Sequence, residues 1–137
     1  MKKLGMVLAA VLLALCIAMP AGAGDKIRVT TTHSAVSVAA SDSSTSAAID
    51  LEQWRPTGYF TVYWVLTGTG TAKFEYLVSL DGTNYVEPSG ASDIASGKTA
   101  GSDIVSFTPV VAPYMKIKVT ETGGANAVTA TVYLCVQ

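Results

Sequence analysis

From residue 26 onward the chain alternates. Apolar side chains recur at every second position between Thr, Ser, Lys and Glu, and clusters of Gly, Asp, Asn, Ser and Pro interrupt them. A period of two predicts strands over 26–32, 35–39, 46–51, 58–67, 71–80, 84–86, 103–108, 114–121 and 127–136. No part of this region carries a helical period. The fold class that follows is all-β, a single antiparallel sandwich or jelly roll of about eight or nine short strands.

The alternation also assigns faces. Phe74, Tyr76, Val78 and Leu80 share one side of their strand, opposite the more polar Lys73, Glu75, Leu77 and Ser79. Met115, Ile117 and Val119 point one way, and Lys116, Lys118 and Thr120 the other. Val128, Ala130, Val132, Leu134 and Val136 make the apolar face of the last strand. The set Phe60, Val62, Trp64 and Leu66 opposes Tyr59, Thr61, Tyr63 and Val65, so both sides of that strand are largely apolar. Such a strand is expected in the centre of a sheet, covered on both faces.

Turns punctuate the strands. Thr67-Gly68-Thr69-Gly70 supplies glycines for a tight hairpin, and Asp81-Gly82 between alternating runs is a strong hairpin signal. Pro109 and Pro113 bracket an edge or crossover segment, because proline cannot donate to a ladder. Residues 41–48 and 87–101 read as loops. All eleven aromatic residues lie between Trp54 and Tyr133, so residues 24–53 bring little bulk to a core. They are expected as edge strands or as a loosely packed arm.

The first 23 residues differ from the rest. Lys2 and Lys3 precede an apolar run from Leu4 to Met19, then Pro20 and Ala21-Gly22-Ala23, the three parts of a secretory signal peptide. Cleavage after Ala23 is the leading reading, with residues 24–137 as one domain. A retained membrane helix needs about 20 apolar residues. A lipid anchor on Cys16 would want a small residue before it, where Leu15 stands. The expected location is secreted, periplasmic or on the cell surface.

Cleavage would remove two of the nine basic residues and leave seven against ten acidic ones, a net charge of −3. The basic residues are scattered, with no stripe for nucleic acid or for an anionic membrane. Cys135 would be the only cysteine left, so no intramolecular disulfide could form. It reads either as a half-buried strand residue or as the source of an intermolecular disulfide.

Candidate chemistry is sparse. His33, the only histidine, sits in a Thr-Thr-His-Ser context expected to be a solvated loop, without the partners that a metal site or triad needs. No phosphate loop or catalytic carboxylate pair stands out, so the chain is read as non-enzymatic. Calcium is the one candidate cofactor, at Asp81 and Asn84 with Glu87, Asp93 and Asp103 near loops; the alternative is that Asp81 and Asn84 only build the hairpin turn. Trp54, Tyr59, Tyr63, Tyr85 and Tyr114 are candidates for partial exposure, where an aromatic ring can stack on a sugar or anchor an interface. Trp54, beside Arg55-Pro56-Thr57-Gly58, reads equally as a core residue.

The stretch Phe74-Glu75-Tyr76-Leu77-Val78-Ser79-Leu80-Asp81-Gly82-Thr83-Asn84-Tyr85 resembles the hairpin of discoidin-type (coagulation factor 5/8 C-type) sandwiches. Val111-Ala112-Pro113-Tyr114-Met115-Lys116-Ile117-Lys118-Val119 is similar to a later strand of that family. Both signatures also resemble small β-sandwich proteins of phages and prophages, over residues 72–136. The family's paired terminal cysteines are absent, and its binding loops do not align. The resemblance therefore implies a sandwich fold and no particular site residues.

Two functions follow from different classes. One is a binding module that holds a glycan or another surface molecule through loops and exposed aromatics. The other is a structural subunit of a surface layer, fibre or virion-like assembly, for which low charge and alternating terminal strands suit edge pairing.

Overall fold

The computed structural model describes residues 26–54 and 56–137. The leader, with Cys16 and the cleavage site, lies outside the described residues, as does Arg55. The described residues form nine strands and no helix: β1 (Arg28–Val38), β2 (Ser43–Thr45), β3 (Ile49–Asp50), β4 (Phe60–Gly68), β5 (Ala72–Ser79), β6 (Ala95–Lys98), β7 (Gly101–Phe107), β8 (Tyr114–Glu121) and β9 (Val128–Val136). One antiparallel sheet has the order β1-β9-β4-β7; the other has β2-β8-β5-β6, with β3 also on β8. The chain is a β-sandwich.

The period of two explains the core. Val62, Trp64 and Leu66 of β4 and Val132 and Leu134 of β9 face Phe74 of β5 and Met115, Ile117 and Val119 of β8, all buried. Trp64 stacks on Phe74 across the sandwich with ring centroids 4.6 Å apart. Phe107 closes one end against Phe60 and Tyr76, at 5.7 and 5.6 Å. Each such side chain contributes about 1.5–3 kcal/mol by leaving water.

The other end is tied by one carboxylate. Glu121 is 2% exposed at the close of β8. It accepts N–H bonds from Ser41 and Thr71 at 2.9 and 3.0 Å and from Gly123 and Gly124 at 2.7 and 2.9 Å. Three loops thus share one anion. These bonds, Ser41 and Thr71 foremost, hold its carboxyl at about 2.

Several expectations are corrected. The segments 26–32 and 35–39 are one strand: β1 pairs with β9 from Arg28 to Val38, with register shifts on both sides of His33. The break in alternation is a bulge, where Ala35 adopts a φ of 50°. Residues 28–38 are therefore an edge strand rather than an arm. His33 is no solvated loop residue: it lies 2% exposed within β1. Its Nε2–H faces the Ser44 carbonyl at 3.3 Å, and Nδ1 lies 3.2 Å from the Thr32 hydroxyl. Burial lowers its pKa, against the opposing effect of the Ser44 carbonyl.

The loops read at 41–48 and 87–101 contain β2 and β6, short strands whose small side chains carry little pattern. Conversely, 84–86 reduces to one bridge between Val78 and Val86, and 46–51 to the two residues of β3. Finally, β4 is central in its sheet, but the described residues cover it on one face only. Its outward Tyr63 is 38% exposed.

Candidate functional site

The loops at one end of the sandwich build an apolar groove. β5 stops at Ser79 because the Ser79 hydroxyl turns the chain: it donates to Asp81 Oδ1 at 2.8 Å and accepts the Gly82 N–H at 3.0 Å. Asp81 then accepts the N–H groups of Thr83 and Asn84, at 2.9 and 2.8 Å, and the Asn84 side-chain amide at 2.7 Å. These bonds, the Asn84 N–H first, hold its carboxyl well below the usual carboxylate range. Gly82 has a φ of 71°, and a Cβ there would touch the Tyr114 ring at 3.4 Å. The chain returns through two backbone bonds between Val78 and Val86, of 2.9 and 3.0 Å. Leu80, expected inward with Val78, is left at the tip, 80% exposed.

The facing wall is the crossover from β7 to β8. Pro109 is buried, and the Val110 N–H donates to the Tyr76 hydroxyl at 3.2 Å, so the segment is pinned at its start. The Pro113 carbonyl is held by the Leu51 N–H at 2.8 Å. Between these anchors Val111 stands 95% exposed. Leu80, Val86, Val110 and Val111 converge on a groove of about 530 Å³, with Asp81 and Asn84 at its rim. A smaller hollow of about 110 Å³ continues behind Val111 toward Leu51 and Phe60.

The sequence candidates share this end of the fold but not one surface. Tyr59 is 72% exposed just before β4. Trp54 is half-buried and packs against the core. Tyr114 lies against Gly82. Tyr85 lies under Lys116, whose Nζ is 4.1 Å from the ring centroid, and its hydroxyl is shut from solvent with no hydrogen-bond partner among the described residues. Burial, then the nearby Tyr114 and Asp81, raise its pKa. Sequence reasoning missed Leu80, Val86, Val110 and Val111. The available signal was Pro109 and Pro113 holding two consecutive valines off any ladder.

For cations the geometry is specific. The Asp81 and Asn84 groups that calcium would use are engaged in the turn. Carboxylate oxygens of Glu75, Glu87 and Asp93 come within 4.8 Å of one another. Lys73 supplies a cation there, 2.6 Å from Glu75 and 3.6 Å from Asp93. Cys135 is a half-buried strand thiol on the outer side of β9.

No protein-family model matches the chain, and no curated protein does. Solved structures match at low identity. A structure of infectious bursal disease virus, Gx strain, is 19% identical over 81% of this chain, at a TM-score of 0.42. This chain spans 31% of that viral chain. The SPBc2 prophage-derived protein YomS is 11% identical over 82% of this chain and 94% of its own, at 0.42. TmCBM61, solved with β-1,4-galactotriose, is 15% identical over 82% and 89%, at 0.41. A prophage protein is thus among the similar structures, as the two sequence signatures had indicated. At these scores the likeness carries no argument about ligand or assembly.

Proposed function

We propose that this chain is a secreted or surface-exposed, non-catalytic binding module whose loop end grips an apolar segment of another surface molecule. The observation that carries the reading is the convergence of Leu80, Val86, Val110 and Val111 on one groove, at 80, 61, 50 and 95% exposure. Contiguous exposed aliphatics of this kind are costly in water, and they mark interaction sites. The groove walls are aliphatic rather than aromatic, which favours a protein segment over a glycan. The Asp81 carboxylate at the rim favours a cationic residue beside that segment. The leader anatomy supports the location.

A displayed peptide library tests this. Selected peptides should be rich in apolar residues with a flanking Lys or Arg, and Leu80→Ser with Val111→Ser should abolish their binding. Both sites are exposed, so stability should change by less than about 0.5 kcal/mol. Peptides that bind the double variant equally well would refute the reading. Retention on neutral glycans, lost on Tyr59→Ala, would replace it with glycan binding.

A second reading, assembly, is favoured by a different surface, the outer face of the β1-β9-β4-β7 sheet.

A further inference from the structure

The two outer faces of the sandwich differ in kind. Outside the β2-β8-β5-β6 sheet, Glu75 bonds Lys73 and Lys118, at 2.6 and 3.3 Å, and Lys116 lies over Tyr85. That face is charged. Among the strand residues of the other sheet, only Arg28 and Asp103 carry a formal charge. Both pair with inward-facing residues, Val136 and Trp64, so neither stands on the outer face.

The register shows what does stand there. The row Thr31–Tyr133–Tyr63–Ile104 crosses all four strands. Tyr63 and Tyr133 stack at its centre, ring centroids 5.9 Å apart. In the next row, Val29 and Cys135 lie beside Thr61 and Ser106, whose hydroxyls are 3.1 Å apart. Val29 and Ile104 are 64 and 63% exposed. A shallow groove of about 420 Å³ runs between these rows.

We propose that this face is the contact surface for a second copy of the chain, packed face to face about a two-fold axis. The argument is chemical self-complementarity. In a two-fold contact each patch meets itself. Near the axis a charge meets its own like, whereas a hydroxyl is donor and acceptor at once and can pair with its own kind. Every polar group in the two rows is a hydroxyl or a thiol. Packing the lysine-bearing face of the other sheet on its copy would desolvate Lys73, Lys116 and Lys118. A glycan site would be expected to offer amides or charged forks as well, and this face offers none. Size agrees: strands of seven to eleven residues, about 4.8 Å apart and rising about 3.4 Å per residue, cover roughly 500 Å² in projection. Side-chain relief raises the accessible area toward the roughly 800 Å² per partner that specific interfaces bury. This inference is independent of the loop-end groove.

The test is the solution mass of the protein expressed from its full sequence, kept in reductant, by light scattering after size exclusion. Mass spectrometry of the same sample fixes the mass of one chain. The wild type and Cys135→Ser should run at twice that mass. Tyr63→Glu with Tyr133→Glu should run at the single mass with an unchanged circular dichroism spectrum, a loss of at least about 100-fold in self-affinity. If that variant does not fold, Ile104→Lys on the same face replaces it, with the same expectation. A wild type at the single mass up to about 100 μM would overturn the proposal. So would a dimer that survives these variants but is lost in Leu80→Ser with Val111→Ser. A single-mass wild type retained by an insoluble neutral polysaccharide, and released by the tyrosine variant, would assign the face to glycan instead.

Discussion

His33 makes the stability of this fold depend on pH in a window where little else titrates. The ring is 2% exposed in β1 and donates from Nε2 to the Ser44 carbonyl at 3.3 Å. Burial lowers its pKa below 6.5. In the unfolded chain the ring gains a proton as pH falls through 6.5, while in the folded chain it stays neutral until the lower, folded value. The unfolded state therefore binds more protons, and stability falls on acidification. It is fully present above 6.5 and lost progressively down to the folded pKa. One proton sets a ceiling of about 1.4 kcal/mol per pH unit, which for a domain of this size is roughly 4–8 °C in Tm. The other shifted groups move away from the window: the carboxyls of Glu75, Asp81, Asp103 and Glu121 are lowered, and Lys73 and Tyr85 are raised. Urea unfolding at half-unit steps from pH 7.5 to 5.5 should show the decline. His33→Leu should be less stable at pH 7.5, because it removes the ring's hydrogen bond to the half-buried Ser44 carbonyl, worth about 0.5–1.5 kcal/mol. Its stability should then be flat with pH, so the two curves converge in acid. A flat wild-type curve, or an NMR titration of the ring at or above 6.5, would refute the reasoning.

Glu121 sets the acid limit. Its folded pKa of about 2 lies below the ordinary 4.5, so its contribution is present above 4.5 and lost as pH falls toward 2. Glu121→Gln should lower the Tm at pH 6 and make the further fall in Tm between pH 5 and 2 shallower than in wild type; an unchanged slope would show that the four N–H bonds do not favour the charged form. Tyr85→Phe removes a buried hydroxyl that has no partner among the described residues. It should leave stability unchanged or raise it by up to about 1 kcal/mol in urea unfolding, and a loss beyond about 1 kcal/mol would mean the hydroxyl has a partner after all.

How far the sequence could be read depended on the length of the pattern. β8 was read at its observed bounds, 114–121, because four inward residues alternate with four outward ones. β4, β5 and β9 were within a few residues for the same reason. β2 and β6 were missed, since Ser-Ser-Thr and Ala-Ser-Gly-Lys offer no alternation. Their pairing is decided by the neighbouring β8 and β5. His33 was misread because a bulge places two register shifts around it and hides the inward phase of β1. At the candidate site, Asp81-Gly82 was legible as a turn, since local hydrogen bonding builds it. The groove was not, because its walls come from the β5–β6 connection and the β7–β8 crossover, distant in sequence and brought together by the sheet order.

The most instructive discrepancy is β4. Its sequence is apolar on both sides, and that pattern predicted cover on both faces. The fold covers one, through Phe74, Met115 and Ile117. The other holds Tyr63 at 38% exposure beside Tyr133, with no charged residue in the rows around them. A sheet face that stays wet ordinarily alternates to charge, as the Lys73 to Lys118 side of this same molecule does. Natural sheets also use charge to keep copies apart. The uncharged face therefore keeps the composition of a covered one without a cover from the described residues. That composition is what a second copy, rather than solvent, would meet.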